Sequence, residues 1–560
     1  MPADLGPGRP LGWSEPGRTT LEIKTGGWRT RRPVYVEATA PCRAGCPAGE
    51  PIARWIERAN LGDYAGAWQV IREENPFPAI MGRVCAHPCE SACNRRQYDG
   101  AVAVNALERF VGDWGLEHGT PPSPQPARPG RAAVVGGGPA GLACSYHLSR
   151  LGHRVHLFEA EPELGGVLRY GIPEYRLPRA VLRREIDLAI AAGVEVFTGR
   201  RLGENLSWAT LGSYDAVFLA TGASVPVTLG VPGEEARGIG QGLAFLRRVN
   251  TGAAPLLGRR LVVVGGGSTA MDVARSARRL GVPSVTVLAL EAREDMPALP
   301  EEVAQALAEG VEMLNGFGVS AFVQTGGSVA AVVAQPARLE RDGTGAVRPL
   351  FEPGQPLTVQ ADGVLLAIGQ RPDLSALPGG IRRGAGLILV DRGGATSSGH
   401  VHAGGDAASI QRTVTHAIGA GTRAARSIHA RLCGREPLAG QGARPWTMAK
   451  HTHVVDFSEI NLHGFKPARR AGRRERPAGQ RLRSFVEAAG GFDPATARAE
   501  TARCFSCGHC TGCDTCFMVC PDMAVHHWDG GYRIAPEHCK GCGLCVEECP
   551  RGALQMVSER

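Results

Sequence analysis

The chain has 560 residues, too many for a single hydrophobic core, and its length predicts about three to four domains. It is 43% hydrophobic and 21% charged, as globular proteins are, and no apolar run reaches the ~18 residues that a membrane helix requires. The net charge of +8 is too small for this length to indicate nucleic-acid binding by itself. The N-terminal residues have no apolar core, so we expect no secretory signal and a cytoplasmic protein.

The N-terminal region is helix-rich by pattern and ends in a Pro-rich segment at residues 119–130, which predicts a domain boundary. Of the 17 cysteines, fifteen fall into two groups, a spacing that in a cytosolic chain indicates metal binding rather than disulfides. Cys144 and Cys433 stand apart, and we expect Cys144 to be a small buried residue on a helix. The first group consists of Cys42, Cys46, Cys85, Cys89 and Cys93, and the second has ten members between Cys504 and Cys549.

Two strand–loop–helix–strand units follow the linker. The first has a G-x-G-x-x-G loop whose glycines let the backbone approach a pyrophosphate at a helix N-terminus, and Glu159 ends its second strand, where an acid bonds ribose hydroxyls. The second has a G-x-G-x-x-A loop, and Glu291 ends its second strand. Two dinucleotide folds in one chain usually mean one flavin and one nicotinamide. The loop residues are Gly136, Gly138 and Gly141 in the first unit, and Gly265, Gly267 and Ala270 in the second.

Three further segments resemble buried strands that end in glycine turns, at residues 214–223, 361–373 and 401–408. A long Ala-rich helix follows the last of them. Residues 440–500 are polar and irregular, and their basic stretch is predicted to be a solvated linker rather than a nucleic-acid site, since no aromatic platform accompanies it. A docking strip for an acidic partner protein is the alternative.

The C-terminal cysteines include two runs of the form C-x2-C-x2-C-x3-C-P, which predict a bacterial two-cluster ferredoxin domain of α+β type. The fourth cysteine of each run ligates the other cluster in such domains, and neither the spacing nor the trailing proline suits zinc. Cys504 and Cys507 are then spare or structural, although a register that uses them as ligands stays open. One predicted set is Cys510, Cys513, Cys516 and Cys549, and the other is Cys539, Cys542, Cys545 and Cys520.

Five motifs together resemble the glutamate synthase small-subunit family of flavoproteins, which is related also to the N-terminal half of dihydropyrimidine dehydrogenase. They are "GGVLRYGIPEYRLP", "GGGSTAMDVAR", "EDMPA", "AIGQRPD" and "AGGDAA". The resemblance implies that the first loop binds FAD and that a second, inserted domain binds NADPH. It implies FAD contacts for Gly136, Gly138, Gly141, Glu159 and Asp406, nicotinamide dinucleotide contacts for Gly265, Gly267 and Ala270, and further cofactor contacts for Arg169 and Ala417.

The family commonly carries Tyr-Arg-Arg where this chain has Ala289, Leu290 and Glu291. Arginines suit the 2′-phosphate of NADPH, whereas a carboxylate accepts from a 2′-hydroxyl and repels a phosphate. Glu291 therefore predicts NADH over NADPH. In the alternative, Glu291 is a surface acid and Arg293 binds the phosphate.

The family often has seven N-terminal cysteines that serve two clusters with one non-cysteine ligand, whereas this chain has five. We therefore expect one 4Fe-4S cluster in the N-terminal domain. Its best ligands are Cys46, Cys85 and Cys89, and the fourth is Cys42, Cys93 or Glu108, which matches the family's carboxylate or amide position.

The sequence thus predicts an α/β oxidoreductase with FAD, NADH and three 4Fe-4S clusters. No side-chain nucleophile or base is required, because flavin converts hydride electron pairs into single electrons. No C-x4-C pair follows the first loop, which disfavours a disulfide reductase. The predicted domains are a helical iron–sulfur domain with its linker (1–130), the FAD domain in two parts (131–255 and 374–435), an inserted nicotinamide domain (256–373), a basic linker (436–500) and the ferredoxin domain (501–560).

The expected role is an electron-transfer subunit of a hetero-oligomer, with a 2-oxoacid:acceptor oxidoreductase or a dissimilatory sulfite reductase as partner. The alternatives are a stand-alone NAD(P)H:ferredoxin oxidoreductase, bifurcating or not, and a glutamate synthase small subunit. A non-enzymatic scaffold that binds zinc and nucleic acid is the alternative from another class.

Overall fold

The computed structural model describes residues 24–122, 125–341, 347–434 and 449–559. The N-terminal region is helical after one opening strand. The helices α4 and α6 pack closely because Gly82 and Gly112 face the partner helix, where a Cβ would collide with Arg109 and Ala79. The elements are β1 (Arg31–Thr39), α1 (Pro41–Ala44), α2 (Ile52–Asn60), α3 (Tyr64–Ile71), α4 (Pro78–Val84), α5 (Pro88–Ser91) and α6 (Val104–His118).

A five-stranded parallel sheet comes next, with strand order β4-β3-β2-β5-β19, in which β19 (Val401–Ala403) comes from much later in the chain. Its strands are short and almost wholly buried in the middle, as parallel sheets covered on both faces are. The elements of this stretch are β2 (Arg131–Val135), α7 (Pro139–Arg150), β3 (Arg154–Phe158), α8 (Val167–Tyr170), α9 (Arg179–Ile190), β4 (Val194–Phe197), α10 (Trp208–Leu211), β5 (Ala216–Leu219), β6 (Val225–Pro226), β7 (Ile239–Gln241) and α11 (Gly242–Asn250).

The chain leaves the first sheet after β5, builds a second parallel sheet of order β10-β9-β8-β15-β7, and returns with β19. An antiparallel sheet of four strands, β11 to β14, covers one face of the second sheet. The elements are β8 (Arg260–Val264), α12 (Ser268–Arg279), β9 (Ser284–Ala289), α13 (Pro300–Ala308), β10 (Glu312–Asn315), β11 (Phe317–Thr325), β12 (Ser328–Arg341), β13 (Val347–Phe351), β14 (Leu357–Gln360), β15 (Gly363–Leu366), β16 (Gln370–Arg371), β17 (Arg383–Gly384), β18 (Leu387–Ile388), β19 (Val401–Ala403) and α14 (Val414–Cys433).

The C-terminal region consists of short elements, and its sheet includes the N-terminal strand. β1 lies between β20, with which it is parallel, and β23, with which it is antiparallel, from Arg31 opposite Ser558 to Tyr35 opposite Leu554. The elements are β20 (Ala449–Val454), α15 (Ala478–Arg481), α16 (Pro494–Thr501), α17 (Thr515–Met518), β21 (Val525–Trp528), β22 (Gly531–Ile534), α18 (Leu544–Glu547) and β23 (Leu554–Ser558). No helix among the described residues is long and apolar enough to cross a membrane.

The segment predicted as a solvated basic linker packs onto the rest of the protein in its described part, residues 449–500. Arg470 pairs with Glu90 at 2.6 Å, and Arg473 donates to the side-chain oxygen of Asn105 at 2.6 Å. The difference has a physical reason: the arginines supply hydrogen bonds to a buried carboxylate and a buried amide oxygen of the helical region. Residues 435–448 and the N-terminal residues 1–23 lie outside the described residues.

One buried acid, at the end of α13, ties this segment to α12. Glu309 lies between Arg275 and Arg279 of α12, at 3.0 and 2.5 Å, and Arg481 approaches it from the C-terminal segment at 3.4 Å. Burial by itself would raise the pKa of Glu309, but the hydrogen bonds from the α12 arginines outweigh burial and lower the pKa. The acid therefore remains charged in the interior and holds three guanidinium groups.

We expect Glu309→Gln to lower the free energy of unfolding by about 3–5 kcal/mol, because it leaves buried guanidinium groups without their counter-charge. Urea denaturation of the whole chain measures the loss. The control is Glu204→Gln at an exposed pair with Arg201, which should change stability by less than about 0.5 kcal/mol. Equal effects of the two variants would show that Glu309 is not a structural charge centre.

Candidate functional site

The first glycine loop joins β2 to α7 with a geometry that leaves its helix N-terminus free. Gly136 has φ +110°, and a Cβ at Gly141 would collide with the carbonyl oxygen of Gly136. Gly138 is the N-cap of α7, and no side chain caps this end. Glu159 accepts a 2.6 Å hydrogen bond from the backbone N–H of Gly137, which places the carboxylate against the loop. The uncapped N–H groups fit a pyrophosphate.

The second loop repeats this arrangement between β8 and α12. Gly265 has φ +133°, and Gly267 is the N-cap of α12, again without a side-chain cap. A Cβ at Gly267 would meet nothing within 4 Å, so the space above the helix is open. Ala270 is fully buried at the position of the third glycine.

Glu291 lies against the second loop rather than out in solvent. A Cβ on Gly266 would collide with the Glu291 carboxylate. In the first loop, a Cβ on Gly137 would likewise lie 2.9 Å from a carboxylate oxygen of Glu159. The two acids thus have corresponding positions relative to their loops. Arg293 is exposed in the turn that follows.

The other residues predicted to contact cofactors lie around the first loop. One of them, Arg169, already bonds to other groups of the chain. Asp406 follows Gly405, whose added Cβ would lie 3.0 Å from the Ala140 side chain of α7, and burial raises the pKa of Asp406. Ala417 is buried on α14. Arg169 is engaged within the chain, since its guanidinium donates to the Leu164 carbonyl at 2.6 Å and also pairs with a glutamate.

Three N-terminal thiols and one carboxyl group come together beside this region. The pKa of Cys89 is raised by burial and then by the neighbouring thiols of Cys85 and Cys46. Glu108 is buried on α6, and burial, a neighbouring acid and the Cys85 thiol hold its pKa well above its ordinary value. Soft thiolates and a carboxylate fit an iron–sulfur cluster. The structure thus brings together the three predicted thiols and one of the three candidates for the fourth ligand.

A second buried acid, Glu50, belongs to the same place and was not predicted. The side-chain amide of Asn75 donates to both Glu50 and Glu108 at 2.8 Å. Burial raises the pKa of Glu50 to about 7. Its only signal in the sequence is its position four residues after Cys46.

This N-terminal group contacts α14. The Cys85 sulfur lies 3.1 Å from the Thr415 hydroxyl, two residues from Ala417. A Cβ at Gly419 would collide with the carbonyl oxygen of Pro47, which follows Cys46. The helix that carries a predicted FAD contact therefore touches the loops that carry the thiols.

Two small cavities in the C-terminal domain are lined by the two predicted cysteine sets. Tyr35 of β1 forms part of the wall of the first, with its hydroxyl 3.2 Å from the Cys516 sulfur, and Pro33 lines the second. Cys504 and Cys507 line neither cavity. The first cavity has Cys510, Cys513, Cys516 and Cys549, and the second has Cys520, Cys539, Cys542 and Cys545.

Residues 128–421, more than half of the chain, match the model of the pyridine nucleotide-disulphide oxidoreductase family. The chain belongs to this family. Residues 31–120 match the 4Fe-4S model of dihydropyrimidine dehydrogenase domain II, and residues 532–555 match a 4Fe-4S binding domain. The protein is therefore an oxidoreductase that combines a dinucleotide-binding unit with 4Fe-4S domains.

Three curated relatives are subunits of larger enzymes by name. The NADP(+)-dependent formate dehydrogenase subunit beta of Moorella thermoacetica is 36% identical over 90% of this chain and 75% of its own length. The NADPH-Fe(3+) oxidoreductase subunit beta of Geobacter sulfurreducens is 37% identical over 70% of this chain, which spans 63% of that relative. The glutamate synthase [NADPH] small chain of Escherichia coli is 32% identical over 69% of this chain and 87% of its own length. The predicted glutamate synthase small-subunit resemblance is confirmed.

The two loops predict different responses to the same substitution. We expect Gly141→Ala to disrupt the first loop and lower the flavin content, because the added methyl group collides with backbone. Gly267→Ala should leave the fold and the flavin unchanged and weaken only nicotinamide binding, since its methyl group enters the open space above α12. For both variants, the flavin released on denaturation measures the flavin content, and the thermal midpoint measures the stability of the fold. A normal flavin content in Gly141→Ala would contradict the assignment.

Proposed function

We propose that this oxidoreductase is an electron-transfer subunit that exchanges electrons between NAD(H) and a partner redox enzyme. The bound groups supply the chemistry: nicotinamide carries a hydride pair, flavin converts it to single electrons, and clusters carry one electron each. The residues of the chain bind and position these groups.

The observation that carries the proposal is the position of α14. A Cβ at Gly421 would collide with the carbonyl oxygen of Ala140 in α7, the helix that follows the first loop. The same helix contacts Cys85 through Thr415. The proposed flavin loop and the proposed N-terminal cluster site therefore lie against the same helix, and such proximity is what electron exchange between them requires.

For the N-terminal cluster we propose Cys46, Cys85 and Cys89 as thiolate ligands and Glu108 as the fourth ligand. The raised pKa of Glu108 reflects burial beside another acid and the Cys85 thiol. A positively charged iron centre would favour the ionised carboxylate at this position.

In the ferredoxin domain we propose that Cys510, Cys513, Cys516 and Cys549 hold one 4Fe-4S cluster, and that Cys520, Cys539, Cys542 and Cys545 hold the other. The two cavities, each lined by one set, support this grouping. It also favours the register in which Cys510, rather than Cys504, is the first ligand.

We propose that Glu291 selects NADH. Its carboxylate faces the second loop at the position that Glu159 occupies in the first, where a ribose 2′-hydroxyl would donate to it and a 2′-phosphate would be repelled. The relatives described above carry NADP(H) in their names. The Glu291 carboxylate is the feature that favours NADH in this chain.

A protein partner is supported by the surface of the ferredoxin domain. Cys513 and Cys542 are exposed, and apolar side chains beside these loops are exposed as well, among them Met518 (75%) and Leu544 (43%). Exposed apolar groups next to redox sites mark docking surfaces. We propose a 2-oxoacid:acceptor oxidoreductase or a sulfite reductase as partner in a hetero-oligomer, with soluble ferredoxin as the second candidate.

The cellular location that we propose is the cytoplasm. None of the cysteines in the described part of the chain forms a disulfide bond, and a reducing compartment keeps thiols available for clusters.

The first experiment is anaerobic reduction of the purified chain by NADH and, separately, by NADPH. We expect the flavin and cluster absorbance to bleach at lower NADH than NADPH concentrations. A preparation without bound flavin, or one that neither nucleotide reduces, would rule out the proposed function. A preference for NADPH would overturn only the role of Glu291.

Glu291→Gln tests that role directly. We expect about tenfold weaker NADH binding, since a charge-assisted hydrogen bond becomes a neutral one, together with stronger NADPH binding. The control is Glu294→Gln, which removes an exposed acid from the same turn and should change neither affinity. Titration of the oxidised protein with each nucleotide measures both.

A further inference from the structure

We propose that Cys42, Cys93, Cys504 and Cys507 together hold an additional 4Fe-4S cluster, with two ligands from each end of the chain. Cys504 and Cys507 would then replace the cysteine pair that the N-terminal region lacks. The site extends the proposed function, but its existence can be tested without nicotinamide or flavin.

The four thiols form one group in which each member neighbours every other. Burial raises the pKa of Cys42 well above its ordinary value, and three nearby thiols raise it further, those of Cys504, Cys93 and Cys507. Burial raises the pKa of Cys507 to about 12, and Cys504 and Cys93 add to the effect. Burial also raises the pKa of Cys504, with Cys93 among its neighbours. The packing agrees, because Cys42, Cys93 and Cys504 lie against one hydrophobic cluster and Cys42 also lies against a second one that includes Cys507. All six pairs of thiols are therefore near neighbours.

The backbone near the thiols is fixed by contacts between the two ends of the chain. Asn94, next to Cys93, points its side-chain amide at the Cys507 sulfur at 3.6 Å and donates to the Val455 carbonyl at 3.0 Å. Arg95 donates to the carbonyl of Arg503, the residue before Cys504, at 2.8 Å. The group is therefore part of a packed interface.

The loop that carries Cys504 and Cys507 has a conformation that suits cluster binding. Ser506 has φ +51°, and its backbone N–H donates to the Cys504 sulfur at 3.3 Å. Gly508 has φ +70°, and its carbonyl accepts from Ala38 at 3.2 Å. A Cβ at Gly508 would lie 2.6 Å from the Ala38 carbonyl oxygen, so the loop lies tightly on the end of β1, just before Cys42.

Four thiolates can hold either one tetrahedral zinc ion or a 4Fe-4S cluster. The cluster is the proposal because Cys42 and Cys93 lie within residues 31–120, which match a 4Fe-4S model. A zinc ion is one outcome of the test below.

The group lies between the other proposed cluster sites. On one side, Cys42 is among the thiols that raise the pKa of Cys89. On the other side, Arg551 donates to the Phe505 carbonyl at 2.7 Å and lines the cavity of the first ferredoxin set. A cluster at this place would stand between the N-terminal site and the ferredoxin sites.

The test is the metal content of the anaerobically reconstituted full-length chain, with the double variant Cys504→Ser/Cys507→Ser beside it. We expect about 16 iron atoms in the unmodified chain, four for each of four clusters, and about four fewer in the variant. Cys42→Ser/Cys93→Ser should lose the same four, and the quadruple variant should lose no more than either double variant. Cys433→Ser, outside all the groups, is the control and should keep the full number.

The readout is iron and zinc by mass spectrometry, together with the spin count of the dithionite-reduced protein by electron paramagnetic resonance. About 12 iron atoms in the unmodified chain would overturn the proposal, with or without one zinc ion. So would additive losses in the quadruple variant. If the variants do not fold, the iron number and spin count of the unmodified chain decide the question. Dithionite needs no nicotinamide, so a failure here is distinct from a failure of the proposed function.

Discussion

The backbone pairing of β1 with β23 joins the two ends of the chain, and the arrangement of the thiols depends on it. β1 runs antiparallel to β23 and ends at Thr39, three residues before Cys42. The same strand supplies Tyr35 and Pro33 to the walls of the two ferredoxin cavities. The N-terminal region and the ferredoxin domain, far apart in sequence, therefore form one structural unit in which four groups of cysteines lie.

The second constraint is the packing of α14. This helix has small residues where it meets its neighbours, so that Gly421 lies on α7 and Gly419 lies on Pro47. Small side chains let the helix approach both at backbone distance, as close helix packing requires. The dinucleotide loop and the N-terminal thiols are thereby fixed relative to each other, and hinge motion between them would break this packing.

Buried charge fixes the remaining segment. One acid of the helical region and one at the end of α13 are paired with arginines from residues 465–483, so the basic stretch is a structural element of the protein. Such pairs add little net stability, but they specify which surfaces meet, because an unpaired buried charge is costly. Glu309, with three arginines, is the centre of the largest such network described above.

The sequence by itself determined the local units. Glycines at Gly136 and Gly265, with acids at Glu159 and Glu291 one strand later, predicted both dinucleotide loops, because the required backbone angles and close approaches are encoded within about thirty residues. The regular cysteine runs predicted the ferredoxin domain in the same way. The parallel sheets followed from buried strands that alternate with helices.

Only the tertiary structure decided what depends on residues distant in sequence. It paired β1 with β23, placed the basic segment on the helical region, and placed Cys42 and Cys93 beside Cys504 and Cys507. It also brought Glu50 to Glu108 and the loop of Cys504 and Cys507 to the end of β1. Spacing rules cannot find such groups, since their members come from opposite ends of the chain and meet only when strands and helices pack.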